Sequence, residues 1–171
     1  MAPRLLSSLL IAALTACSAT PEAPAREVVY QAQTYIAADY ETVWQAIVDG
    51  DQHADWFTAP AHLFNAERGA ALRWATPERE VYSGEMLHVE RGRGVAWSMR
   101  FMGFGFSEPS TELQILVQDR GPVVQVLVRH AFPGAPQSAA LVERGGWDKV
   151  LARLKTYAET GSPMPWPEEE G

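Results

Sequence analysis

From Glu27 to Ala37, Val28, Tyr30, Ala32, Thr34 and Ile36 alternate with polar neighbours, the period of a strand with one buried face. The pattern then changes to steps of three and four. Val43, Trp44, Ile47 and Val48 share one helical face, with Asp39 placed to cap it and Asp49-Gly50-Asp51 to end it. A second short helical turn is predicted over 51–57, anchored by Trp56-Phe57 ahead of Pro60. Residues 61–132 read as short strands cut by turns: 61–66, 70–75, 80–90, 93–102, 111–118 and 123–132. Pro133-Gly134-Ala135-Pro136 stops the last of them. Beyond it Trp147, Val150, Leu151, Leu154 and Tyr157 make an apolar stripe, while Asp148, Lys149, Arg153 and Lys155 fill the other side. With Ser138 as cap, this predicts one helix over 138–160, roughly 34 Å long. Gly145 and Gly146 fall inside it, each costing about 1 kcal/mol against Ala. Either they let another group approach the helix backbone beside Trp147, or they break the helix so that it starts near Gly146. A strand, two helices, about six strands and a long helix predict an α+β domain, with helices on one face of an antiparallel sheet.

The ends of the chain change the picture. Residues 1–16 carry Arg4, then a short apolar run from Leu5 to Leu14, then Leu14-Thr15-Ala16 before Cys17. Cys17 is the only cysteine of the 171 residues. The arrangement resembles a bacterial lipoprotein signal with its lipobox, which implies lipidation of Cys17, attachment to the membrane through the lipid, and a palmitate-type acyl chain. With Ser18 next, the resemblance implies the outer membrane, facing the periplasm. The other reading is an ordinary secretory signal cut nearby. Residues 17–26 are small, polar and proline-containing, a tether. Residues 27–160 then form the domain, and 161–171 a proline-rich acidic tail, expected to be extended. Loss of residues 1–16 removes Arg4 and no acid, so the formal charge moves from −7 to −8. Such a domain has no attraction for nucleic acid or anionic head groups.

Several stretches together are similar to a known family. Tyr40 to Ile47 with Trp56-Phe57, Phe64 to Gly69, Leu72-Arg73-Trp74, Ser83-Gly84-Glu85-Met86, Val95-Ala96-Trp97-Ser98, Val124 to Phe132 and Gly146-Trp147 to Tyr157 occur in this order. The domain resembles the SRPBCC (START-like, helix-grip) superfamily, and within it the bacterial homologues of the heat-shock-protein-90 ATPase activator. The resemblance implies a curved antiparallel sheet of about six or seven strands gripping the C-terminal helix, with a cavity between them. It does not fix a function, because the superfamily hosts binders, cyclases and co-chaperones. A cytosolic chaperone partner is hard to reconcile with the export signal.

His130 is the foremost polar candidate. It shares the inward face of the last strand with Val124, Val126, Val128 and Phe132. There it meets a ligand or acts as acid or base, or it is a buried imidazole hydrogen-bonded to backbone near the final helix. Trp97, Met99 and Phe101 alternate on one strand face beside Trp74 and Tyr82, and Trp147 approaches from the helix. These seven residues are the candidate lining of a small-molecule site, unless the aromatics fill the space completely. Phe104 and Phe106 gate the mouth or anchor their loop. His53, His62 and His88 show no metal-ligand spacing, so no metal is expected. No nucleophile elbow, phosphate loop or dinucleotide fingerprint occurs, so no cofactor is expected. Most acids, Glu41, Glu85 and Glu112 among them, read as solvated surface. The leading functional reading is a lipid-anchored envelope protein binding a small hydrophobic or aromatic ligand. The alternatives are a cyclase- or hydratase-type enzyme using His130, and an envelope chaperone or interaction module docking through Trp166.

Overall fold

The computed structural model describes residues 29–166; the leader, Cys17, the whole tether and residues 167–171 of the tail lie outside the described residues. The elements run β1 (Val29–Ile36), α1 (Tyr40–Val48), α2 (Gly50–Trp56), β2 (Ala61–Leu63), β3 (Ala71–Ala75), β4 (Glu80–Glu90), β5 (Gly94–Phe101), β6 (Thr111–Asp119), β7 (Val124–Ala131), α3 (Pro136–Glu143) and α4 (Gly146–Thr160). The seven strands make one antiparallel sheet in the order β1-β7-β6-β5-β4-β3-β2. Register slips at Ala61/Leu63, Trp74/Ala75 and Met86/His88 bend its second half. Helix α4 lies against β1 and the α1–α2 pair, which is the helix-grip arrangement.

The period-two faces are as expected. On β7, Val124, Val126, Val128, His130 and Phe132 are buried, and on β5 Trp97, Met99 and Phe101 are. Asp39 caps α1, its carboxylate accepting from the Thr42 amide at 2.9 Å and from the Thr42 hydroxyl at 2.7 Å. Asp49 serves twice: its amide closes α1 on the Gln45 carbonyl, and its carboxylate caps α2 through Gln52. The Trp56 indole donates to the Ala46 carbonyl at 2.7 Å and locks the two helices together.

The helix expected over 138–160 is instead two helices. Arg144 ends α3, and Gly145, at φ 90°, turns the chain into α4. A left-handed residue just past a helix end is the ordinary stop signal, and glycine adopts it without a Cβ penalty. Neither Gly145 nor Gly146 has another group within 4 Å of where a Cβ would stand, so the pair makes a break and no close approach. Ser138 is not the cap either. Pro136 opens α3, and Glu108 reaches in from the loop before β6, accepting from the Gln137 and Ser138 amides at 2.8 Å and the Ser138 hydroxyl at 2.7 Å. Burial alone would raise the Glu108 pKa, but these hydrogen bonds hold its carboxyl below the usual range. Glu108 is therefore a structural acid and not solvated surface.

Where β4 crosses β5, a Cβ on Gly84 would stand 1.8 Å from the Ser98 carbonyl oxygen. Backbone cannot retreat from such a clash as a flexible side chain can. Gly84→Ala is expected to cost at least about 1–3 kcal/mol of unfolding free energy, read by urea denaturation.

Candidate functional site

Between the sheet and the α3–α4 corner lies a cavity of about 640 Å³. Tyr82, Met99, Phe101 and His130 line it from β4, β5 and β7; Phe57 and Thr58 follow α2; Phe104 comes from the glycine loop. Leu141 and Val142 of α3, Arg144, Gly145 and Gly146 of the break, and Trp147 and Lys149 of α4 form the helical wall, and Trp166 completes the rim. Five of the seven candidates, Tyr82, Met99, Phe101, His130 and Trp147, meet here. Trp74 and Trp97 do not. They are fully buried around His53, and Phe57, which lines the cavity, packs on both His53 and Trp74.

His130 closes the cavity floor with no exposed surface. Its Nδ1 lies 3.1 Å from the Trp147 indole nitrogen, which can only donate. Its Nε2 lies 2.7 Å from the Thr111 hydroxyl, which in turn donates to the Met99 carbonyl at 2.8 Å. These directions fix one chain of donors: indole N–H to Nδ1, Nε2–H to Thr111, Thr111 to Met99. The imidazole is neutral, its one lone pair and its one proton both engaged. Burial pushes its pKa down to about 3. The buried-histidine reading thus has the right place beside the final helix, but its partners are side chains and not backbone.

His53 is also fully buried, its pKa pushed down to about 3 by burial against a small opposing effect of the Ile47 carbonyl, 3.1 Å from Nδ1. Among the described residues, its Nε2 and the indole nitrogens of Trp74 and Trp97 have no hydrogen-bond partner. The three rings lie 6.0, 6.0 and 6.1 Å apart, so the unmet polar capacity is concentrated in one aromatic cluster.

Phe104 packs on Tyr82, Phe101 and Phe106, so it is both wall and loop anchor. Arg153, assigned by pattern to the solvated side of α4, is buried. It donates to the Trp56 and Asp55 carbonyls at 3.0 and 2.9 Å, at the end of α2 where helix carbonyls lack internal partners, and also to the Met164 carbonyl. Its guanidinium sits 4.7 Å over the Trp166 ring. One arginine thereby straps residues 164–166 beside the cavity, so Trp166, 40% exposed, is part of the rim. Among the described residues no group of three His, Cys, Asp or Glu side chains is placed to hold a metal ion.

The family described as activator of Hsp90 ATPase homolog 1-like protein matches residues 37–159. The chain belongs to this family. Comparison with curated proteins finds no match. Among solved structures, DynU16, from the dynemicin biosynthetic locus, is similar with a TM-score of 0.67 and 24% identity over 79% of this chain. The match covers 48% of DynU16, so this chain spans about half the length of that protein. CalU16 from Micromonospora echinospora gives a TM-score of 0.61 and 21% identity, covering 78% of this chain and 77% of its own. A conserved protein of unknown function from Enterococcus faecalis gives 0.65 and 15%, covering 84% and 78%. At these identities the likeness shows the shared fold.

Sequence reasoning missed Leu141, Val142, Arg144 and Lys149 as cavity residues. The available signal was the Arg144-Gly145-Gly146 break, which turns the helical wall at the mouth.

Proposed function

We propose that this protein is a lipid-anchored binding module that holds a small hydrophobic or aromatic molecule in its cavity. The observation that carries the reading is the cavity itself: about 640 Å³, walled mainly by aromatic and aliphatic side chains with a few polar groups. That is the usual size and chemistry of a small-molecule site. Titration with the neutral fluorophore phenylnaphthylamine is expected to show saturable binding at one site. Gly146→Leu places a side chain at the mouth where nothing lies within 4 Å, and is expected to weaken that binding at least about tenfold with little change in stability. Absence of saturable binding to the natural protein would reject the reading.

The anchoring rests on the leader and Cys17, and places the domain in the bacterial envelope. Cys17→Ser is expected to move the protein from the membrane fraction to the soluble fraction and to abolish labelling by radioactive palmitate. Equal membrane recovery of the two forms would refute it. The family is named for Hsp90 ATPase activation; for a chain with this leader we take ligand binding as the better-supported role. A cyclase-type reaction through His130 has less support, because neither ring nitrogen is free to exchange a proton with a ligand.

A further inference from the structure

The protein carries a formal charge of −7, yet among the described residues no Asp or Glu lines the cavity, while Arg144 and Lys149 both do. Among the described residues neither cation has a hydrogen-bond or ion-pair partner. Arg153, the nearby arginine, is consumed by three carbonyls and the Trp166 ring. Asp148, the acid of the same first turn of α4, is exposed and does not line the cavity. Glu143 is exposed and does not line the cavity. The mouth also receives the start of α4, a helix of 15 residues whose N-cap, Gly145, offers no side chain to its free amides. The positive end of the helix dipole therefore adds to the two side-chain charges.

We propose that the cavity's ligand is a hydrophobic organic acid, its apolar body against Phe57, Phe101 and Phe104 and its anionic group at Arg144 and Lys149. This deepens the binding reading of the same cavity and rests on it. The mouth offers a bidentate guanidinium and a more mobile ammonium, a pairing suited to a carboxylate or sulfonate. The charged rim over a mainly apolar interior gives such a molecule a single orientation.

A matched pair of fluorophores tests it: anilinonaphthalene sulfonate and the phenylnaphthylamine that lacks only the sulfonate. Charged hydrogen bonds of this kind correspond to roughly a tenfold to hundredfold gain. The sulfonate is expected to bind at least about tenfold more tightly, with an advantage that shrinks as salt is raised. In Arg144→Gln/Lys149→Gln the ratio of the two affinities is expected to collapse toward one, and Gly146→Leu is expected to weaken both dyes. Equal affinities in the natural protein, or an unaltered ratio in the double variant, would overturn the acid assignment and leave the binding reading intact. Binding of neither dye would overturn both.

Discussion

Taking the protein from pH 6.5 to 4.5 is expected to remove on the order of 5 kcal/mol of stability, through His53 and His130. Both imidazoles are fully buried, and burial pushes each pKa from 6.5 down to about 3. Among the described residues no charge acts on either ring to offset this. His130 is surrounded by Trp147, Thr111, Phe101 and Phe132, and His53 by the Ile47 carbonyl, Trp56, Phe57, Phe64, Trp74 and Trp97. The folded pKa lies below the unfolded one, so the unfolded chain binds the extra protons. Stability is complete above about pH 6.5 and falls until the native rings also protonate near pH 3. Each histidine contributes about 1.4 kcal/mol per pH unit across that window. Urea denaturation at half-unit steps measures the slope, expected near two protons for the natural protein and one for His53→Gln. A flat profile between pH 6.5 and 4.5 would show that the rings are not held neutral. Near the acid end Glu108, whose folded pKa is depressed, acts in the same direction, because protonating it removes the acceptor at the start of α3.

Trp147→Ala is expected to cost about 3–5 kcal/mol, the range for removing a large buried aromatic. The residue is 4% exposed, faces the cavity, packs near Phe57 and His130, and supplies the N–H that occupies His130 Nδ1. Trp147→Phe separates the contributions. It keeps most of the ring but leaves a buried acceptor unmet, and is expected to cost about 1–3 kcal/mol. Equilibrium denaturation reads both. A phenylalanine variant as stable as the natural protein would mean that the indole bond adds nothing.

The sequence made the strands and their faces legible because a half-buried strand repeats every two residues, and β7 keeps that repeat along its length and β5 from Trp97 to Phe101. The inward placement of Trp74 and Trp97 was legible for the same reason. Their depth was not, because alternation tells inside from outside and cannot tell a core layer from a cavity wall. The break between α3 and α4 had a signal in the spacing. Val142 to Trp147 is a step of five, which a straight helix does not place on one face. Arg153 and Glu108 were hidden by their type. A charged residue reads as solvated until tertiary structure brings it uncapped carbonyls, or amides, that local sequence does not contain. Arg144 and Lys149 were illegible as a pair because only the turn at Gly145 gives them a common cavity.

The pairing of β1 with β7 has a consequence for how the chain reaches its fold. Val29 stands opposite Ala131 and Ile36 opposite Val124, so the first strand finds its sheet partner only after roughly ninety further residues have been made. Closing so long a loop is entropically costly, and pairings of this separation place a domain among the slower folders, in milliseconds to seconds. During synthesis β1 therefore has no sheet partner until β7 has emerged, and the sheet closes as one of the last steps rather than growing strand by strand from the N-terminus.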